Sequence, residues 1–422
     1  MRRYDAYSAT NVDWLGDIPA SWSCANLGVI ARQRKNLNKD GDVESVLSLS
    51  YGKIKRRVMD NSGLLPESFN TYNVIESGDV VLRLTDLQND QRSLRVGLCH
   101  ERGIITAAYV TLEPTAVNSR YLYYSLAVFD FWKGFYGLAG GVRQSLTFDG
   151  IRNLRFPLPS KGEQIAIADY LDAKTAEIDV LMADCEREVE LLQEYRKAVI
   201  SEVVTKGLDP TVAMKDSGIE WIGEIPKEWG IENLGGHSTM LTPMRDKPVD
   251  LSGPIPWIRI EDYDGKYISS SKEDLGVSAA TIEAMNLKIY PIGTLLCTSS
   301  CDLGKCAIVA KELVSNQRFI GIIPTDYNVD YLYYLMLSNA ERLNFLSTGT
   351  IQANLSRKAF EHLKLPYPPF AEQRDIADYL DAKTAEIDSL ITDKCVLADK
   401  LREYRKSLVS EAVTGKFKVP GV

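Results

Sequence analysis

Asp169–Asp179 reads DYLDAKTAEID, and Asp378–Asp388 repeats those eleven residues at an offset of 209. The match runs on without a gap through Glu194-Tyr195-Arg196-Lys197 against Glu403-Tyr404-Arg405-Lys406. Upstream, Pro157, Pro159 and Glu163-Gln164 match Pro366, Pro368 and Glu372-Gln373. Each half also opens alike, with Trp14-Leu15-Gly16-Asp17-Ile18-Pro19 and Trp22 against Trp221-Ile222-Gly223-Glu224-Ile225-Pro226 and Trp229. Between these ends only echoes survive, such as Tyr121-Leu122-Tyr123-Tyr124 against Tyr331-Leu332-Tyr333-Tyr334. A duplicated framework with unlike middles implies one scaffold carrying two different specificities.

The matched stretches have the coiled-coil period. A seam passes through Ala168, Leu171, Thr175, Ile178, Met182, Cys185, Val189, Leu192, Arg196, Val199 and Val203 in alternating steps of three and four. Its copy passes through Ala377, Leu380, Thr384, Ile387, Ile391, Lys394, Ala398, Leu401, Arg405, Leu408 and Ala412. Gly207 and Gly415 supply C-terminal stops. The spacing therefore predicts two long helices; if they pair with each other, antiparallel pairing is favoured because the second module lies between them in the chain, and otherwise each seam docks on its own module. The polar seam residues either fix register or face a partner protein.

In the middles, strand-like runs at 46–49, 80–82 and 108–112, and at 295–296, 307–309 and 320–323, precede amphipathic stretches at 119–136 and 329–345. The expected fold class is α+β: two pseudo-twofold-related modules, each a largely antiparallel sheet plus helices. The expected division is module 1 at 1–160, helix 1 at 161–207, module 2 at 208–369, helix 2 at 370–416 and a tail at 417–422.

Charge by segment sharpens the reading. The net charge of −8 argues at first against nucleic acid, since phosphate neutralisation needs Lys and Arg. Counted along the sequence, however, residues 1–160 are net +3, 161–206 net −5, 207–368 net −5 and 369–422 net −1. The first module is basic at Lys53, Lys55, Arg56 and Arg57. Base reading needs paired donors and acceptors. Such groups concentrate at Gln88, Asn89, Gln91, Arg92 and Arg95, beside the Gly pair at Arg143 and Gln144, and at Asn316, Gln317, Arg318, Gln352 and Asn354. These residues are the candidate DNA contacts. Taken alone, they also fit an adaptor in which two modules on a coiled-coil spacer bind a non-DNA ligand.

Enzyme chemistry finds little support. Only His100, His237 and His362 occur, few for acid–base work or metal ligation. Gly304-Lys305 is followed by Cys306 rather than Ser or Thr, so no Walker phosphate loop is present. No amino-methyltransferase signature of the Asn-Pro-Pro-aromatic type appears. Cys297, Cys301 and Cys306 lack a suitably spaced fourth zinc ligand, so no metal is expected. Met1-Arg2-Arg3-Tyr4-Asp5 leads into polar sequence, and no run approaches a membrane span. A cytoplasmic location is expected.

Together the twin Trp-Leu/Ile-Gly-Asp/Glu-Ile-Pro openings, the Pro-x-Pro approaches and the Glu-Gln-x-x-Ile-Ala-x-Tyr-Leu-Asp helix starts at Glu163 and Glu372 resemble the specificity subunits of type I restriction-modification systems. The resemblance implies two target-recognition domains, each reading half of a bipartite double-stranded DNA site, with the coiled coil setting the gap. It implies no catalysis by this chain and no cofactor of its own. Two methyltransferase subunits would bring S-adenosylmethionine, and restriction subunits, where present, ATP and magnesium. It also implies subunit docking at Glu163, Gln164, Asp169, Tyr170 and Asp172 and at Glu372, Gln373, Asp378, Tyr379 and Asp381.

Overall fold

The computed structural model describes residues 2–57, 68–87, 94–138, 145–243, 246–300, 303–340, 342–343 and 355–422. They form two compact units, Met1–Glu186 with Val396–Val422, and Arg187–Cys395. Each long helix therefore contributes to both. The first helix, Lys161–Lys206, and the second, Phe370–Val413, each run without interruption.

In the first unit, four antiparallel strands lie in the order Ala31–Gln33, Val110–Pro114, Val80–Leu82, Val96–Leu98. The helix Ser119–Phe131 packs beside them, its start capped by the Asn118 side chain, which accepts from Arg120 N and Tyr121 N. Helical spacing gives it two apolar faces. Leu122, Leu126 and Phe129 join the sheet residues Val80, Leu82 and Leu112. Tyr121, Tyr124 and Val128 instead meet Leu171, Ile178, Leu408 and Ala412 of the long helices. That second core fixes an antiparallel pairing, since residues early in the first helix meet residues late in the second. The tail is part of it as well: Phe417 and Val419 are buried there.

The second unit follows the same plan with a different sheet. Five strands lie in the order Ser238–Leu241, Phe319–Pro324, Leu295–Thr298, Cys306–Val309, Tyr267–Ile268, the last pair parallel and the others antiparallel. The helix Val329–Ser338 is capped by Asn328. Its Tyr331 and Tyr334 enter one core with Val199, Val203 and Val204 of the first long helix and Ile376, Ala377 and Leu380 of the second. Here too the helices run antiparallel. Both module helices end earlier than the sequence pattern suggests, at Phe131 and Ser338. Trp132 and Asn339 close them.

The matched ends of the two halves have a physical cause. Each opening forms a hairpin, Tyr7–Ala9 with Asp17–Pro19 and Met214–Asp216 with Glu224–Pro226, that buries Ile18 or Ile225 and leads to a buried Trp22 or Trp229. The indole N–H of Trp22 donates to Glu163 (3.1 Å), and that of Trp229 to Glu372 (2.9 Å). Gly415, at φ +68°, ends the second long helix against this hairpin; a Cβ there would lie 2.5 Å from Pro19 Cδ. Glycine is required both by the left-handed backbone and by the close approach.

Candidate nucleic-acid interface

The framework that presents the interface is built from contacts made twice. Gln164, buried at the start of the first long helix, accepts from Asn118 N (2.8 Å) and donates to Pro159 O (2.9 Å). Gln373 accepts from Asn328 N (2.8 Å) and donates to Pro368 O (2.9 Å). Tyr121 Oη donates to Val413 O (3.3 Å) and Tyr331 Oη to Val204 O (2.9 Å), each satisfying a carbonyl in the last turn of a long helix. Asp172 accepts from Tyr124 Oη (2.7 Å) and Arg120 (2.6 Å). Asp381 accepts from Tyr334 Oη and Lys266 Nζ, both at 2.6 Å.

The polar seam residues have partners of the same kind. The Thr175 hydroxyl lies 3.3 Å from Tyr124 Oη, and the Thr384 hydroxyl 3.1 Å from Tyr334 Oη. Arg405 pairs with Asp179 in the first unit, and Arg196 with Asp388 in the second, each at 2.9 Å. Lys394 pairs with Glu188. Hence Glu163, Gln164, Asp172, Glu372, Gln373 and Asp381 all hold the chain's own fold together. Asp169, itself paired with Arg120 (2.7 Å), keeps an outward face, as do Asp378 and Tyr379, whereas Tyr170 is half-buried against Phe417. Tyr195 and Tyr404, repeat equivalents of each other, are also exposed.

On the first module, the basic residues sit on a hairpin, Leu47–Ser50 with Lys53–Arg56. Alternation sends Leu47, Leu49 and Ile54 inward to Ile75, Val81 and Ile105 and leaves Lys53 and Lys55 beside Ser50 and Ser48 on the other face. The two-residue turn has positive φ at both Tyr51 and Gly52, the geometry that matches strand twist. Tyr51 is 77% exposed at its tip. Sequence reasoning missed this tyrosine, although Tyr-Gly between alternating runs is a hairpin signal. Arg56 is held by Glu101, with Nε 2.8 Å from Oε2. Arg57 is exposed.

Arg95 does not belong with these. It is fully buried, and its guanidinium donates to the carbonyls of Arg83 (3.0 Å), Thr85 (2.9 Å) and Asp86 (3.2 Å) and to Tyr136 Oη (2.9 Å). Five donors on one planar fork suit it to organising a loop from within. Gln88, Asn89, Gln91, Arg92, Arg143, Gln144, Gln352 and Asn354 lie outside the described residues.

On the second module, Asn316-Gln317-Arg318 forms the turn into the strand Phe319–Pro324, closed by Arg318 N donating to Asn316 Oδ1 (3.0 Å). Gln317 and Arg318 are exposed. They border two clefts, one of about 560 Å³ with Thr242, Ser299, Ser300 and Arg357, and one of about 310 Å³ with Lys247, Trp257 and Arg259. Arg259 is tied to Glu273 (2.9 Å) and Arg357 to Glu361 (2.7 Å). Lys247 and Arg357 were not singled out from sequence, because no local pattern links them to a turn that lies about 70 residues after the one and about 40 before the other. Cys297 and Cys306 are buried cross-strand neighbours, and burial pushes the Cys297 thiol well up. No cluster of metal-ligating side chains occurs among the described residues.

Comparison with known proteins agrees with this geometry. Residues 238–394 match the type I restriction modification DNA specificity domain. The chain is 33% identical over 183 residues to the type I restriction enzyme MjaIX specificity subunit of Methanocaldococcus jannaschii, covering 41% of each. It is 24% identical over 339 residues to the MjaVIII specificity subunit of the same organism, covering 76% of this chain and 75% of that one. Thus it spans less than half of the first relative's length and three quarters of the second's. A chain from a solved structure of a type I R-M system superposes with a TM-score of 0.72 at 15% identity, covering 95% of this chain and 99% of that one. Residues 238–394 thus match a type I restriction modification DNA specificity domain, and the chain with its twofold repeated framework is similar in sequence to type I restriction enzyme specificity subunits and in fold to a chain of a type I R-M system.

Proposed function

We propose that this chain is the sequence-reading subunit of a type I restriction-modification complex, each module reading one half of a bipartite double-stranded DNA site. One observation carries the reading: the contacts that build the framework recur in both units, while the exposed polar elements they present differ. The first module presents Lys53 and Lys55 on a hairpin; the second presents Gln317 and Arg318 on a turn between clefts. Lys on a flexible stem suits phosphate contact, whereas Gln and Arg have the paired groups that distinguish bases.

The chain itself acts as reader and spacer. Methylation is assigned to two methyltransferase subunits carrying S-adenosylmethionine, and translocation and cleavage, where they occur, to restriction subunits using ATP and magnesium. Tyr170 and Tyr379, with Asp169, Asp378, Tyr195 and Tyr404, form the proposed docking surface. They occur once on each unit, as two copies of one partner require. No helix among the described residues is long and apolar enough to cross a membrane.

The test is to map methylated adenines by single-molecule sequencing in cells with the chain and its methyltransferase partner, and in cells lacking the chain. A bipartite motif that disappears with the chain is expected, and Arg318→Ala should alter preference in one half only. Methylation independent of the chain would refute the reading.

A further inference from the structure

The eleven repeated residues, two turns into each helix, contain two aspartates one heptad apart: Asp172 and Asp179 in the first, Asp381 and Asp388 in the second. In each unit the seam arginine of the facing helix pairs with the later one, Arg405 with Asp179 and Arg196 with Asp388. Sliding one antiparallel helix by seven residues returns every seam side chain to a seam position. It also brings Arg405 level with Asp172 and Arg196 level with Asp381. The charge pattern of the coil alone therefore supports two registers, each with both ion pairs made.

We infer that Arg120 and Lys266 select between these registers, by occupying Asp172 and Asp381 and denying them to the seam arginines. Arg120 reaches Asp172 at 2.6 Å and Lys266 reaches Asp381 at 2.6 Å, and in each case a module tyrosine donates to the same carboxylate. The two cations have unrelated origins. Arg120 precedes Tyr121, and the residue preceding the matching Tyr331 is Asp330, of opposite charge. Lys266, immediately before the strand Tyr267–Ile268, bridges Asp330 (2.7 Å) and Asp381 instead. The same positive charge thus arrives at the same aspartate from two different parts of a module. Inheritance from the duplication does not account for that; a requirement at the carboxylate does. Neither side chain is a loose surface group, Arg120 being 34% and Lys266 13% exposed.

This inference rests on the proposed reading in one respect: register matters to DNA only where the helices set the half-site gap. One heptad moves a helix about 10 Å along its partner, equivalent to about three base pairs of duplex. Arg120 and Lys266 are therefore positioning residues for gap length, acting through the coil rather than on DNA.

The test uses the full chain with Cys395→Ser and spin labels at Asp184→Cys and Glu411→Cys, both exposed, both within the first unit and already offset along the coil in the direction of the slide. Asp179→Asn with Asp388→Asn should keep the wild-type label distance. Adding Arg120→Met and Lys266→Met should shift it by about 10 Å, and further adding Asp172→Asn and Asp381→Asn should abolish the shifted population. Arg120→Met with Lys266→Met alone, in which both aspartates stay open, should show two distances and keeps the idea testable should the fourfold variant not fold. A single wild-type distance in every variant would overturn the inference. In parallel, the methylated gap should change by about three base pairs in the fourfold variant. A label shift without any bipartite methylation would instead refute the DNA reading and leave the register inference standing.

Discussion

Gln164 offers a direct measure of how firmly the first module is held to its helix. Its amide satisfies two backbone groups at once, the N–H of Asn118 and the carbonyl of Pro159, and it is 1% exposed. Gln164→Ala removes both hydrogen bonds and leaves both groups buried. Each unsatisfied buried group costs about 1–3 kcal/mol, and a water entering the space recovers part of that, so a loss of about 2–4 kcal/mol is expected. For a body of some 200 residues each kcal/mol lowers the melting temperature by about 2–4 °C, which gives a fall of about 5–10 °C. Differential scanning calorimetry and urea unfolding would measure it. Gln373→Ala, the repeat equivalent, should cost the same within about 1 kcal/mol, and the double variant should be near additive because the sites share no partners. A loss under about 0.5 kcal/mol in either variant would refute the argument that these amides clasp module to helix, and would return Gln164 and Gln373 to the docking surface.

Further outcomes follow from the same geometry. Arg95→Met leaves three carbonyls without their donor, so it should destabilise by about 3 kcal/mol or more in chemical denaturation, with no separate effect on DNA preference. Burial alone would lower the pKa of Lys266, but its hydrogen bonds to Asp330 and Asp381 outweigh this and raise it above 10.5. A raised lysine stabilises fully below its unfolded value and loses that contribution as pH climbs through the folded one. The stability gap between wild type and Lys266→Met should thus be flat near neutrality and shrink only above about pH 10.5. Burial pushes the Cys99 thiol up to about 11, whereas Cys395 is exposed; iodoacetamide at neutral pH should modify Cys395 at least about tenfold faster, read by peptide mass spectrometry. Tyr195→Ala with Tyr404→Ala, both exposed, should leave melting nearly unchanged and weaken co-purification of the proposed methyltransferase partner.

What the sequence by itself determined was everything carried by period and repetition. The unbroken three-four seam from Ala168 to Val203 and its copy required two long helices, and the module between them favoured an antiparallel return if the helices paired. Val80–Leu82 and Cys306–Val309 were legible as strands from short apolar, β-branched runs. The matched openings were legible as one motif, although only the structure shows why: Trp22 and Trp229 each seek a glutamate 141 or 143 residues onward.

Only the tertiary structure decided which polar residues face outward. Arg95 sits among Gln and Asn in a polar run, and nothing local distinguishes it from a base-reading arginine; its place follows from three carbonyls that the fold brings to one point. Asp172 and Asp179 occupy repeating positions of one helix with similar neighbours, yet one meets a module and the other a helix. Lys266 takes the place of Arg120 from a different part of its module, a substitution no alignment of the two halves reveals. The reason is common to all three: periodicity is a property of neighbours along the chain, whereas the partner of a buried charge is set by whatever the packing of distant segments leaves within about 3 Å.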